Sequence, residues 1–153
     1  MVNLQCIKQR KFIYTMFNSR TVRDRHLKQA CIEAAANLQS TSSFHNSTRK
    51  EKQQVLNAIA HKVAAMQAPQ YYVDQLYAYN VLSAHFAGGH PLPARGLAHK
   101  KWQEIATHVR NRRKLKPKES LIDSIANVLS SQKASNFFLT TTSIRRFLNS
   151  IAI

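Results

Sequence analysis

The 153 residues carry 23 Lys and Arg against 7 Asp and Glu, a formal net charge of +16, with 44% hydrophobic residues, three Gly and four Pro. This length and apolar content suit a globular domain and exclude collagen-like, low-complexity and disordered classes. No apolar run reaches the roughly 18 residues of a membrane span, and no apolar segment leads to a small-residue cleavage site. Cys6 and Cys31 form neither a CxxC nor a disulfide framework. The chain is therefore expected to be intracellular, in cytoplasm or an organelle matrix, with reduced thiols.

In chain order, residues 1–18 read as a basic N-terminal arm or a targeting-like segment, with Lys8, Arg10 and Lys11 and no acid; Met16 is an alternative start. Phe12-Ile13-Tyr14 is a short strand or a packing anchor. Residues 19–153 read as a single helical domain. Its first helix, capped by Ser19 or Thr21, carries Leu27, Cys31, Ala34, Ala35 and Leu38 as one stripe. Residues 39–46 form a Ser- and Asn-rich loop. Thr48 stands three residues before Glu51, a capping-box spacing, and opens a helix with Val55, Leu56, Ile59, Val63 and Met66 on one face.

A third helix is expected from Pro69 at its first position to about Phe86, stopping at Gly88-Gly89. It is apolar nearly all round, which predicts a central place in the bundle. His90-Pro91-Leu92-Pro93 breaks the helical pattern. A fourth helix covers about Leu97 to Arg113 with Trp102, Ile105, Ala106 and Val109 inward, followed by a basic turn from Lys114 to Lys118. A fifth carries Leu121, Ile122, Ile125, Val128 and Leu129. Phe137-Phe138-Leu139 is a short strand or an anchor. The last helix begins near Thr142 or Ser143 and carries Ile144, Phe147, Leu148 and Ile151. No repeat is evident at a period of 20–50 residues. The expected fold is all-α, a five- to six-helix bundle with a basic arm.

The charge is blocked along the chain. Residues 1–28 hold seven Lys and Arg against Asp24, and residues 95–118 hold nine against Glu104, while residues 63–94 have no Lys or Arg. A small domain needs a net charge of magnitude only ~2–8 for solubility, so a concentrated excess points to a polyanionic partner. Lys100, Lys101, Arg110, Arg112, Arg113, Lys114, Lys116 and Lys118 are the candidate phosphate contacts, with Arg20, Arg23 and Arg25 as a second group. Each such contact releases condensed counterions. The plainer reading is a solvated face whose cations complement the helix dipole.

Other patterns are weaker. A helix-turn-helix across the fourth and fifth helices lacks a turn glycine, and its second helix has no basic residue, only Asn127, to read base edges. Tyr71, Tyr72, Tyr77 and Tyr79 are read as core, since stacking platforms normally sit beside cations. Trp102, beside Lys100 and Lys101, is the better stacking candidate, but its stripe also points it inward. The loop from Ala84 to Gly96 offers His85, His90 and Arg95 for a metal-independent ribonuclease, with Lys100 as an alternative phosphate contact. No His/Cys/acid spacing predicts a metal site, and no phosphate-binding loop predicts a nucleotide cofactor.

The expectation is a non-enzymatic nucleic-acid-binding protein that grips RNA or DNA by its backbone, without sequence preference, as a subunit of a nucleoprotein assembly with protein partners. The alternatives are the His85/His90 ribonuclease and a structural protein that binds an acidic protein or an anionic membrane surface.

Overall fold

The computed structural model describes residues 19–39 and 48–151, so the expectations for residues 1–18 and for the loop after the first helix fall outside the described residues. Six helices form: α1 Ser19–Gln39, α2 Arg49–Ala64, α3 Gln75–Gly88, α4 Gly96–Leu115, α5 Leu121–Ser131 and α6 Thr141–Ser150. The fold is all-helical, with no strand among the described residues. None of these helices is long and apolar enough to cross a membrane.

The described residues divide into two compact units. One comprises those up to Asp24 and Gln70–Gln132; the other comprises those of Arg25–Pro69 and Lys133–Ile153. In the first, α5 packs on both α3 and α4. Trp102, Ile105, Ala106 and Val109 of α4 are buried, as their spacing predicts, together with Ile125, Val128 and Leu129 of α5. In the second, α2 packs on α6. Arg145 of α6 reaches Asn57 Oδ1 of α2 at 3.1 Å and also bonds the Gln53 side chain. Leu27, Cys31, Ala34 and Ala35 of α1 are buried there. Burial raises the Cys31 thiol to about 11, so it behaves as a small apolar group and not as a nucleophile.

The capping box forms as expected. The Glu51 N–H donates to Thr48 Oγ1 at 3.2 Å, and the Thr48 N–H donates to Glu51 Oε2 at 3.1 Å. Removing the hydroxyl with Thr48→Ala is expected to lower stability by about 1 kcal/mol. Thermal unfolding followed by circular dichroism checks this.

The third helix differs from the sequence expectation. It starts at Gln75, not Pro69, because Asp74 supplies the cap: its Oδ2 accepts from the Tyr77 N–H at 2.9 Å. Residues 69–74 are outside any helix, held at one end by reciprocal hydrogen bonds between Ala68 and Ala134 (3.2 and 3.0 Å). Nor is α3 buried all round. Only Ala78 and Leu82 are buried, while Leu76 and Tyr77 are 56% and 52% exposed. Its stop is as expected: Gly89 takes a left-handed conformation (φ 65°), which a residue with a Cβ adopts only under strain.

The Ala68–Ala134 bridge also marks an internal repeat. Shifting the chain by 66 residues, the separation of the two alanines, superposes residues 55–82 on residues 121–148. Six buried positions coincide: Ile59 on Ile125, Val63 on Leu129, Ala68 on Ala134, Tyr71 on Phe137, Ala78 on Ile144 and Leu82 on Leu148. Val128 and Ser124, buried in the second copy, fall on the exposed Lys62 and Ala58. The caps coincide too, Asp74 with Thr140, whose Oγ1 accepts from Ser143 at 3.1 Å. Each copy is helix, non-helical link, cap, helix. The first helix of one copy packs on the second helix of the other, α2 on α6 and α5 on α3. Phe137-Phe138-Leu139 is thus an anchor and not a strand: Phe137 is buried, and Phe138, at φ 55°, is held by Asn136 Oδ1.

Candidate nucleic-acid interface

Helix α4 separates two kinds of side chain. Trp102, Ile105, Ala106 and Val109 are buried, whereas Lys100, Gln103, Thr107, Arg110 and Lys114 are exposed. The exposed set follows alternating spacings of three and four, which line it up along one side of the helix. At 1.5 Å per residue the stripe from Lys100 to Lys114 is about 21 Å long. Beyond the helix end, Lys116 and Lys118 are exposed in the turn. None of Lys100, Arg110, Arg113, Lys114, Lys116 and Lys118 forms a salt bridge with a described residue.

The stripe has a shallow concavity towards each end. One, of about 420 Å³, is lined by Lys100, Gln103, Glu104, Thr107 and His108. The other, of about 370 Å³, is lined by Phe86, Arg110, Arg113, Lys114 and Pro117. In the latter the Arg110 guanidinium carbon lies 5.7 Å from the centroid of the Phe86 ring, within the range of a cation–π contact. Glu104, the acid within the basic block, accepts a hydrogen bond from the Tyr71 hydroxyl at 2.9 Å. Burial, aided by that bond and by the Glu104 charge, pushes the Tyr71 phenol above its ordinary range. Tyr71 is therefore a core residue with a satisfied hydroxyl, while Tyr77 lies edge-on to Trp102 at 5.7 Å.

Not every candidate cation is equally disposed to meet a phosphate. Arg112 is engaged by Glu119: its Nε donates to Oε1 at 2.6 Å and a terminal nitrogen donates to Oε2 at 2.9 Å. Glu119 Oε1 also accepts from the buried Ser124 hydroxyl at 2.8 Å. These bonds tie the end of α4 to the start of α5 across the basic turn. Lys101 is half-buried, and burial, together with the nearby Arg23 charge, lowers its pKa. Arg23 itself pairs with Asp24 at 3.0 Å. Arg20 and Arg23 belong to the same unit as α4, whereas Arg25 belongs to the other.

The Glu119 carboxyl is held down from its ordinary 4.5 to about 2, foremost by the Arg112 hydrogen bond; burial, the next largest effect, opposes this, and the Ser124 bond and the Arg112 and Lys116 charges add to the lowering. A depressed folded-state pKa contributes stability that is fully present above about 4.5 and is lost as the pH falls towards 2. The melting temperature is expected to fall across that interval, and Glu119→Gln is expected to flatten the fall while lowering the neutral-pH value. Thermal melts at a series of acidic pH values check both.

The histidine loop is fixed by its backbone. The His85 Nδ1–H donates to the His90 carbonyl at 2.7 Å, and the His90 N–H donates to the Ala84 carbonyl. Arg95 is exposed, at the N-cap of α4. Among the described residues no three His, Cys, Asp or Glu side chains gather as a metal site. Comparison with protein-family models, curated proteins and solved structures finds no match to this chain.

Phe86 was legible in the sequence only as one residue of an apolar helix, so its place beside the basic stripe was missed. The Arg112–Glu119 pair was missed because it spans seven residues and a turn, outside the helical three- and four-residue spacings. The signal available was Glu119 itself, the acid that ends the basic run just before the Ser120 cap.

Proposed function

We propose that the chain is a non-enzymatic nucleic-acid-binding protein that grips the phosphate backbone through the exposed side of α4 and the turn after it, as a subunit of a nucleoprotein assembly. The observation that carries this reading is a set of exposed cations, three on the stripe and three at the helix end and in the turn. Lys100, Arg110, Arg113, Lys114, Lys116 and Lys118 crowd one helix and its turn, exposed and without salt bridges to described residues. Such crowding repels itself unless a polyanion relieves it. The block's acids support the reading, since Glu104 and Glu119 are tied to Tyr71 and to Arg112 respectively.

Lysines and arginines on a regular helix offer charge without a pattern of donors matched to base edges, so the expected binding follows backbone and shape more than sequence. Arg112 is assigned here to holding the turn and Lys101 to the half-buried flank. Fluorescence anisotropy with labelled single- and double-stranded RNA and DNA across a salt series tests the proposal. Steeply salt-dependent binding supports it. No binding to any probe at low salt refutes it and turns attention to an acidic protein.

A further inference from the structure

Building on the proposed nucleic-acid reading, we infer that the cleft between Phe86 and the end of α4 takes an unpaired nucleobase, so that the interface prefers single-stranded nucleic acid to duplex. The cleft combines the two groups that such a ligand needs. Its wall is the Phe86–Arg110 pair, with guanidinium and ring 5.7 Å apart. Arg113, Lys114 and Pro117 complete its lining. Single strands are held by this combination, since aromatic rings and guanidinium planes stack on bases while neighbouring cations follow the phosphates. A duplex keeps its bases stacked inside and offers this cleft only phosphates.

The position of Phe86 fits such a role better than a core role. Ala78 and Leu82 are the buried residues of α3, and Phe86, one turn beyond Leu82, is only partly buried. The α3 stop at Gly89 fixes the backbone just after it, and the His85–His90 hydrogen bond holds the adjoining loop. The ring thus stands beside the cations at a capped helix end. The concavity is shallow and open, so a base would lie against it with one face covered and the other in solvent.

The test uses the full chain and three probes of equal charge: a single strand, a duplex of half that length with the same number of phosphates, and a single strand in which the bases are absent. The inference expects the base-bearing strand to bind on the order of tenfold more tightly than the base-free strand. Phe86→Leu, which keeps apolar bulk and loses the ring face, is expected to remove that advantage and leave duplex affinity and the salt slope unchanged. A single strand carrying a fluorescent base analogue that stacking quenches reads the same contact in the unmutated protein, should the variant unfold. Quenching on binding is expected. Equal binding of base-bearing and base-free strands, without quenching and with Phe86→Leu silent, overturns the inference and leaves the backbone-binding reading standing. Failure of every probe to bind overturns both.

Discussion

Raising the salt from about 50 to about 200 mM is expected to weaken single-strand binding by roughly 300-fold, and duplex binding by more. The size follows from the proposed interface. Six cations, Lys100, Arg110, Arg113, Lys114, Lys116 and Lys118, are exposed along α4 and its turn. Each phosphate neutralised releases about 0.7 of a counterion from a single strand and about 0.9 from a duplex, giving log–log slopes of about −4 and −5. Replacing one of the six by Gln is expected to make the slope shallower by a little under one and to weaken binding to all sequences alike. Arg112→Gln has a different expected signature. Because Arg112 holds Glu119, it lowers stability and leaves the slope nearly unchanged. Anisotropy titrations at several salt concentrations distinguish the two. A flat salt dependence contradicts the phosphate interface.

Leu82→Ala and Leu148→Ala are each expected to destabilise by about 2–5 kcal/mol. Both leucines are nearly inaccessible, 0% and 3% exposed, and they occupy equivalent places in the two repeat copies, on α3 and α6. A fully removed leucine side chain loses its transfer free energy and leaves a cavity that the close-packed surroundings refill only in part. Against a typical total stability of about 5–15 kcal/mol, either change is severe. Leu76→Ala on the same α3 helix is expected to stay within about 0.5 kcal/mol, because Leu76 is 56% exposed. Chemical denaturation followed by circular dichroism measures all three. A neutral Leu148→Ala contradicts the repeat as described, since α6 would then bury nothing through that position.

The fold was legible where local and longer-range signals agreed. Thr48 and Glu51 have only one sensible joint use, and the capping box forms. Trp102, Ile105, Ala106 and Val109 repeat at helical spacing opposite a charged side, so burial and exposure are set together. The Tyr71 to Leu82 stretch misled because the link and the helix are both apolar. Pro69 fits the first position of a helix, but Asp74 makes the cap, and the Ala68–Ala134 pairing holds the chain before it. The repeat was hidden for a related reason. The two copies preserve burial and cap chemistry, Tyr for Phe and Asp for Thr, while few residues stay identical, and the 66-residue separation exceeds the shorter periods of solenoid arrays.

The site was half legible. Charge density alone located the block at 95–118, because a run of cations shows in sequence whatever its conformation. Which cations face outward could not be read from density. That depends on the buried side of α4, on the turn that brings Glu119 back to Arg112, and on the Arg23 charge near Lys101. The Phe86 contact depends on where α3 ends relative to α4 within their unit, a long-range fact that periodicity does not encode.

The most direct measurement compares two variants of equal net charge. One carries Arg110→Glu, Arg113→Glu and Lys114→Glu on the proposed interface. The other carries Lys28→Glu, Lys50→Glu and Lys62→Glu, at exposed positions on α1 and α2. With both variants folded by circular dichroism, single-strand affinity at low salt is expected to collapse in the first, and to change far less in the second. Equal losses in the two would mean that overall charge, and not the α4 stripe, governs binding, and would contradict the proposed interface.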